Sequence, residues 1–179
     1  MATALITGAS SGIGEEFAYA LAREKYDLAL VARRGDRLKS VGQKARAFGA
    51  ARIKTIMADL SRRDTPGLIY RELEKDGTGV DYLVNNAGFG TRGRFHRMPL
   101  ARELEEIDVN VTALVALTHL FAPGMAARRR GTIINVASTA AFQPLPFMAT
   151  YAATKAFVVS FTIALAETRS RTPPGETTL

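Results

Sequence analysis

Cysteine is missing from the 179 residues of this chain. That excludes disulfides and thiolate metal sites, and it suits a reducing cytoplasm, where the protein is expected to reside. Histidine is nearly absent too. His96 and His119 have no ligand partners at metal-binding spacing, so no metal is expected. No unbroken apolar run reaches the roughly 18 residues of a membrane span, so no membrane partner is expected. The opening residues, Met1 to Thr7, carry no basic start and no long apolar stretch, and do not read as a signal peptide. Acidic residues fall short of basic ones, 17 against 24, leaving a net charge of +7. Such a balance admits nucleic acid as a partner. A recognition helix, zinc spacing and aromatic-basic alternation are all lacking, so none is expected.

What is present suits one globular domain: 47% of residues are hydrophobic and 23% charged. Short apolar runs alternate with longer amphipathic ones. Strands are expected at Thr3–Thr7, Asp27–Ala32, Ile53–Met57, Tyr82–Val84 and Thr132–Val136. Helices are expected at Gly12–Glu24, Arg37–Phe48, Leu68–Lys75, Leu100–Arg128 and Tyr151–Glu167. Strands alternating with helices imply an α/β fold, a doubly wound parallel sheet with helices on both faces. Ligands of such sheets bind at the carboxyl ends of the strands. The chemically informative residues follow strands.

The first strand runs into Gly8, Ser10, Ser11, Gly12, Ile13 and Gly14, which open a helix. Glycines let a backbone turn tightly and approach a pyrophosphate, and a helix N-terminus offers unpaired N–H groups. An ordinary glycine-rich turn would look similar. The strand before it and the helix after it favour a Rossmann-type dinucleotide site. In such folds an acidic residue about 20 positions further on holds the ribose 2′-hydroxyl. Arg33 and Arg34 stand there instead, and guanidinium groups suit a 2′-phosphate. NADP(H) is therefore the expected cofactor.

Several motifs in order resemble the short-chain dehydrogenase/reductase family: the Thr7–Gly14 loop, Asp59-Leu60, Asn85-Asn86-Ala87-Gly88, Asn110, Ser138 and Tyr151-x-x-x-Lys155. The resemblance spans residues 3 to 167. It implies that Asp59 accepts a hydrogen bond from the adenine amino group, that Leu60 packs near the ring, and that Asn86, Ala87 and Gly88 pass beside the adenine-side ribose. It also implies that Lys155 binds the nicotinamide ribose hydroxyls and that Asn110 helps hold a water linking Lys155 to solvent. The expected activity is an NADP(H)-dependent oxidoreductase interconverting a carbonyl and an alcohol.

The chemistry also follows from residue types. Tyr151 and Lys155 lie one helical turn apart and share a face. An isolated tyrosine titrates near about 10, and a neighbouring ammonium favours its phenolate. Tyr151 then serves as acid in reduction or base in oxidation. Ser138 can bond the substrate oxygen where charge develops. Alone, a Tyr/Lys pair at this spacing is usually a surface pair, Asn110 an ordinary helical amide and Ser138 a loop serine. Phe89, Phe142, Leu145, Pro146, Phe147 and Met148 suggest an apolar substrate pocket, though core packing accounts for apolar residues equally well. Arg128, Arg129 and Arg130 suit the negative end of the preceding helix dipole.

The family continues past the Tyr/Lys helix with a sixth strand, a Pro-Gly turn and a substrate-covering segment. Here residues 168–179 are polar, contain Pro173, Pro174 and Gly175, and read as an irregular tail after a 1–167 domain. The usual last strands are therefore expected to be missing, by truncation, by a reading-frame change near residue 168, or in a naturally short variant. The fifth strand would be left as an open edge. The alternative to an enzyme is a truncated nucleotide-binding pseudoenzyme or oligomerisation module without turnover. By resemblance, a homo-oligomer is expected to form through the Leu100–Arg128 and Tyr151–Glu167 helices.

Overall fold

Strand β1 (Thr3–Thr7) is buried at every residue, and β2 (Asp27–Ala32) likewise, because each is covered on both faces. With β3 (Ile53–Met57), β4 (Val80–Asn85) and β5 (Thr132–Asn135) they form one parallel sheet in the order β3-β2-β1-β4-β5. This is a computed structural model; it describes residues 2–170, with side chains through Glu167. Among the described residues, β5 has a strand partner on one side only.

The two-residue period of the strands sorts the core into two layers. Ala4, Ile6, Leu28 and Leu30 pack against α1 (Gly12–Arg23) and α2 (Gly35–Phe48) through Ala18, Leu21, Leu38 and Val41. Leu5, Ala29, Val31 and Leu83 face the opposite way. They meet α3 (Thr65–Lys75) and, further along, α5 (Ala113–Ala127) through Ile69, Leu73, Leu117 and Phe121. The sheet is thus doubly wound, and its direction of growth reverses at β1, between β2 and β4.

The long helix expected from Leu100 to Arg128 is interrupted. It consists of α4 (Leu100–Ile107), a π-helical turn (Asp108–Thr112) and α5. π turns re-aim side chains within a helix and recur at functional sites. The last helix, α6, runs Ala149–Ser170, longer at both ends than Tyr151–Glu167. Residues 168–170 are thus helical backbone rather than irregular tail, and residues 171–179 of that expected tail lie outside the described residues. By length and composition alone, helical segments Leu100–Ala127 and Ala149–Glu167 are long and apolar enough to cross a membrane. The first carries buried Glu103, Glu106 and Asn110, and the second packs one face against α4 and the Thr139–Phe142 turn.

Two of the three arginines after α5, Arg128 and Arg130, do more than face its dipole. Arg130 makes paired bonds to Asp81 at the start of β4, at 3.2 and 2.9 Å. Arg128 donates to the Val80 carbonyl at 2.7 Å. Asp81 is buried and also accepts from the Thr3 N–H. This latch sits at the amino end of the sheet, opposite the candidate site.

Candidate functional site

Every strand delivers one part of the site from its carboxyl end. Thr7 closes β1, and its hydroxyl donates to the Val84 carbonyl while accepting the N–H groups of Asn86 and Ala87, both at 3.0 Å. The Asn86 amide returns to the Thr7 carbonyl at 2.9 Å. The ends of β1 and β4 are thereby stitched together, and the loop after β1 is carried on that seam.

The loop is tight. A Cβ on Gly14 would lie 2.5 Å from both the Gly8 carbonyl oxygen and Asn86 Nδ2, a contact no side chain tolerates. Gly12 differs: its φ is +60°, and a Cβ there would meet nothing within 4 Å. Open space lies over the first turn of α1. Ser11 caps that helix without a side-chain hydrogen bond to it, so the first N–H groups take no bond from the cap side chain. Ile13 stands 60% exposed beside them.

Arg34, after β2, reaches this loop. One Nη2 donates to Ser10 Oγ at 3.0 Å and to Ser11 Oγ at 2.7 Å. Arg33 points outward and forms a loose 3.5 Å pair with Glu105. Asp59, after β3, accepts the Ser61 N–H and hydroxyl at 3.1 and 2.9 Å through one carboxylate oxygen. Burial pushes its carboxyl up, but these bonds together with Arg33 and Arg62 outweigh that and hold it below the usual carboxylate range. Leu60 is buried in the α3–α5 core layer.

After β4 the chain passes Gly88 and Gly90 under the start of α6. A Cβ on Gly88 would lie 3.0 Å from Asn110 Oδ1 and 3.5 Å from Lys155 Nζ. One on Gly90 would lie 2.9 Å from the Tyr151 ring. Four of the expected residues, Gly88, Asn110, Tyr151 and Lys155, therefore converge on one spot. Asn110, in the π turn, brackets Phe89: its Oδ1 accepts the Phe89 N–H at 3.1 Å and its Nδ2 donates to the Phe89 carbonyl at 2.9 Å. The same Nδ2 reaches Thr154 on α6 at 3.0 Å.

Lys155 is buried, and its ammonium donates to the Val136 carbonyl at 2.7 Å, 5.9 Å from the centre of the Tyr151 ring. Burial lowers its titration below the ordinary lysine range, and the nearby Glu106 opposes this in part. Ser138, after β5, caps the short 3₁₀ turn Thr139–Phe142; its oxygen accepts the Ala140 N–H at 3.2 Å. A hydroxyl that accepts still has its own proton to give.

Some constituents were not anticipated. Glu103 and Glu106 are buried beneath Phe89–Thr91. Glu106 accepts the Thr91 N–H at 2.7 Å, and its Oε1 is buried without a protein partner among the described residues. The Thr91 hydroxyl lies 2.8 Å from Glu103 and 2.7 Å from Glu106, with one proton to share between them. Thr150, the residue before Tyr151, bonds Glu103 from the other side. Behind the site, Asn85 bonds Thr118 and Asn135, and Asn135 bonds Thr162 on α6. Thr7 already stood in the Thr7–Gly14 motif, and Thr154 was legible in principle, being adjacent to a motif residue. Charged residues in an exposed-looking helix gave no comparable cue.

The expected apolar pocket is only partly formed. Phe142 and Phe147 are 76% and 55% exposed. Phe147 joins Thr91, Arg94, Phe95, His96 and Met98 around a cleft of about 370 Å³ beside the start of α6.

A parallel sheet that reverses at β1, a glycine loop opening α1 and polar groups gathered at the strand ends define a dinucleotide-type α/β protein. The chain belongs to the short chain dehydrogenase family, whose family model matches residues 2–172. It is 37% identical to a very-long-chain 3-oxoacyl-CoA reductase of Phaeosphaeria nodorum over 166 residues, covering 90% of this chain and 49% of that protein. It is 40% identical to an 11-beta-hydroxysteroid dehydrogenase of Pinus massoniana, covering 88% of this chain and 44% of that one. The chain thus spans about half the length of these curated relatives. Among solved structures, a metagenomic short-chain oxidoreductase in complex with NADP superposes with a TM-score of 0.87 at 35% identity, covering 94% of this chain and 76% of that one. A Sphingobium yanoikuyae short-chain dehydrogenase in complex with NADPH also gives 0.87 at 35% identity, with 93% and 65% covered.

Proposed function

We propose that this chain is an NADP(H)-dependent oxidoreductase interconverting a carbonyl and an alcohol. The observation that carries the cofactor choice is Arg34. Its guanidinium lies on the hydroxyls of Ser10 and Ser11, beside the open face of Gly12, and the two residues directly after β2 are arginines where a carboxylate would claim a ribose 2′-hydroxyl. Solved relatives holding NADP and NADPH support the same reading. Gly8, Gly12, Ile13 and Gly14 would flank the pyrophosphate, Arg33 and Arg34 the 2′-phosphate, and Asp59, Leu60, Asn86, Ala87 and Gly88 the adenosine side. When bound, NADP(H) supplies or accepts the hydride.

The protein's own part is positioning and proton handling. Tyr151 gives a proton to the developing alkoxide in reduction and takes one in oxidation. Lys155, held at the Val136 carbonyl, keeps positive charge near that phenol and would hold the nicotinamide ribose hydroxyls. Ser138 donates its free proton to the substrate oxygen. Asn110, with its amide committed to Phe89 and Thr154, positions the loop against α6.

The test is a fluorescence titration with NADPH and NADH. NADPH should bind more tightly, and Arg33→Ala with Arg34→Ala should weaken it by about tenfold to a hundredfold, the loss of one or two charge-assisted bonds. Unchanged affinity in that variant refutes the assignment. Tyr151→Phe should retain NADPH while lowering turnover on an aryl ketone by about 10² or more. A second reading is a nucleotide-binding module without turnover. NADPH binding without reduction of any ketone would favour it.

A further inference from the structure

The cleft beside α6 has a character that carbonyl reduction alone does not require. Between β4 and α4, residues 92–97 hold Arg92, Arg94, His96 and Arg97, all exposed. Arg33, Arg62, Arg63, Arg102, Arg128 and Arg130 each have an acidic partner within reach. Arg92, Arg94 and Arg97 make no ion pair or side-chain hydrogen bond among the described residues. An anion approaching this segment would meet three exposed, unpaired guanidinium groups within six residues.

The same segment is apolar. Phe95 is 63% exposed, and it faces the cleft together with Met98 and Phe147. The segment is held in place, since the Gly93 N–H donates to the Phe147 carbonyl at 2.9 Å and thereby ties the basic stretch to the entry of α6. Glu103 is the one acidic residue of the lining, and its two oxygens are taken by the Thr91 and Thr150 hydroxyls. Arg94 and His96 belong to the lining itself. Ala149, two residues before Tyr151, forms part of the same wall. Phe147 and Ala149 at the start of α6, just before Tyr151, and Phe95, Arg94 and His96 thus line one cleft.

We infer that the substrate is an apolar carbonyl or alcohol bearing an anionic group, a carboxylate, sulfate or phosphoryl, which Arg94 receives with help from Arg92, Arg97 and His96. This rests on the carbonyl-reductase reading for the placement of the reacting carbon. Recognition of the anion rests on the cleft alone. Guanidinium pairs planar anions bidentately, whereas an uncharged ketone would leave the cluster unpaired.

Two probes share one frame: 2-acetylnaphthalene and 6-acetyl-2-naphthoic acid, which adds a carboxylate. Their binding to the full chain is measured by calorimetry, with NADPH affinity recorded separately. The acid should bind about tenfold more tightly than the neutral ketone, as expected for charge-assisted contacts at an exposed site. The advantage should shrink at high salt. It should vanish in Arg92→Ser with Arg94→Ser and Arg97→Ser, surface changes that leave the core intact, while NADPH affinity stays as it was. Equal binding of the two probes, binding of neither, or an unchanged preference in the triple variant overturns the inference. A wild-type chain that prefers the acid but binds no NADPH overturns the oxidoreductase reading and leaves anion recognition at the cleft standing.

Discussion

Lys155 occupies a position where burial and function conflict. An ammonium away from water is disfavoured, and its titration is accordingly lowered by burial, with Glu106 restoring only part of the deficit. The unfolded chain holds that proton to about pH 10.5, so in the window between the lowered folded value and 10.5 the unfolded state binds more protons. Stability contributed by this group therefore rises with pH across that window, and at neutral pH its charge opposes folding. Lys155→Met removes the effect. Urea unfolding of both proteins at pH 7 and pH 10 should show wild type gaining relative to the variant at the higher pH. A difference that stays constant would mean that the lysine is not desolvated. The residue scale is also where sequence reading reached least far. Tyr151 and Lys155 were legible as a pair because helical spacing puts them on one face. Glu103 and Glu106 were not, because charged residues are rarely fully buried and nothing local announces Thr91 and Thr150 as their partners.

At the scale of elements, the junction of β1 with α1 shows how unequal two neighbouring glycines are. Gly14 lies against the Gly8 carbonyl and the Asn86 amide with no room for a methyl, whereas Gly12 faces open space and is constrained only by its positive φ. Gly14→Ala forces backbone apart at the seam joining β1 to β4 and should cost about 2–3 kcal/mol, the upper part of the range for overpacking. Gly12→Ala should cost about 1–2 kcal/mol, the strain of a left-handed alanine. Thermal unfolding ranks them, and the reverse order would show that the seam yields more readily than its hydrogen bonds suggest. Most elements were legible because hydrophobic period and length agreed: buried β1 and β2, the amphipathic α1, the alternation itself. The break at Asp108–Thr112 was not. Its residues continue a helical pattern without proline or glycine, and the π turn follows from Asn110 being drawn to Phe89 and Thr154, contacts distant in sequence. The three extra residues at the carboxyl end of α6 escaped because Thr168, Arg169 and Ser170 are polar, while a helix can extend past its apolar face by backbone bonding alone.

For the molecule as a whole, α4 supplies the clearest physical argument. Its apolar residues Leu100, Leu104 and Ile107 recur at helical spacing, and that stripe would ordinarily face the core. Here it faces outward, 68%, 50% and 38% exposed, while Glu103 and Glu106 on the other side are buried. An amphipathic helix turned apolar side out is unfavourable for a monomer, since each exposed leucine forgoes about 1.5–3 kcal/mol of burial. On α6, exposed Ala153, Ala156, Phe157, Ser160 and Ile163 form a second stripe of small and apolar residues, and α4 packs beside α6. Two adjoining apolar stripes fit a second copy of the same chain, joined by two-fold symmetry, in which each stripe meets its equivalent. The protein should therefore scatter light with a mass at least twice that of one chain. Leu104→Asp with Ile163→Asp places charges in the middle of both stripes, and should give a monomer whose cofactor titration is unaltered, because neither residue lies at the strand ends. A wild-type monomer at micromolar concentration would sink the oligomer and leave the outward leucines of α4 without an occupant.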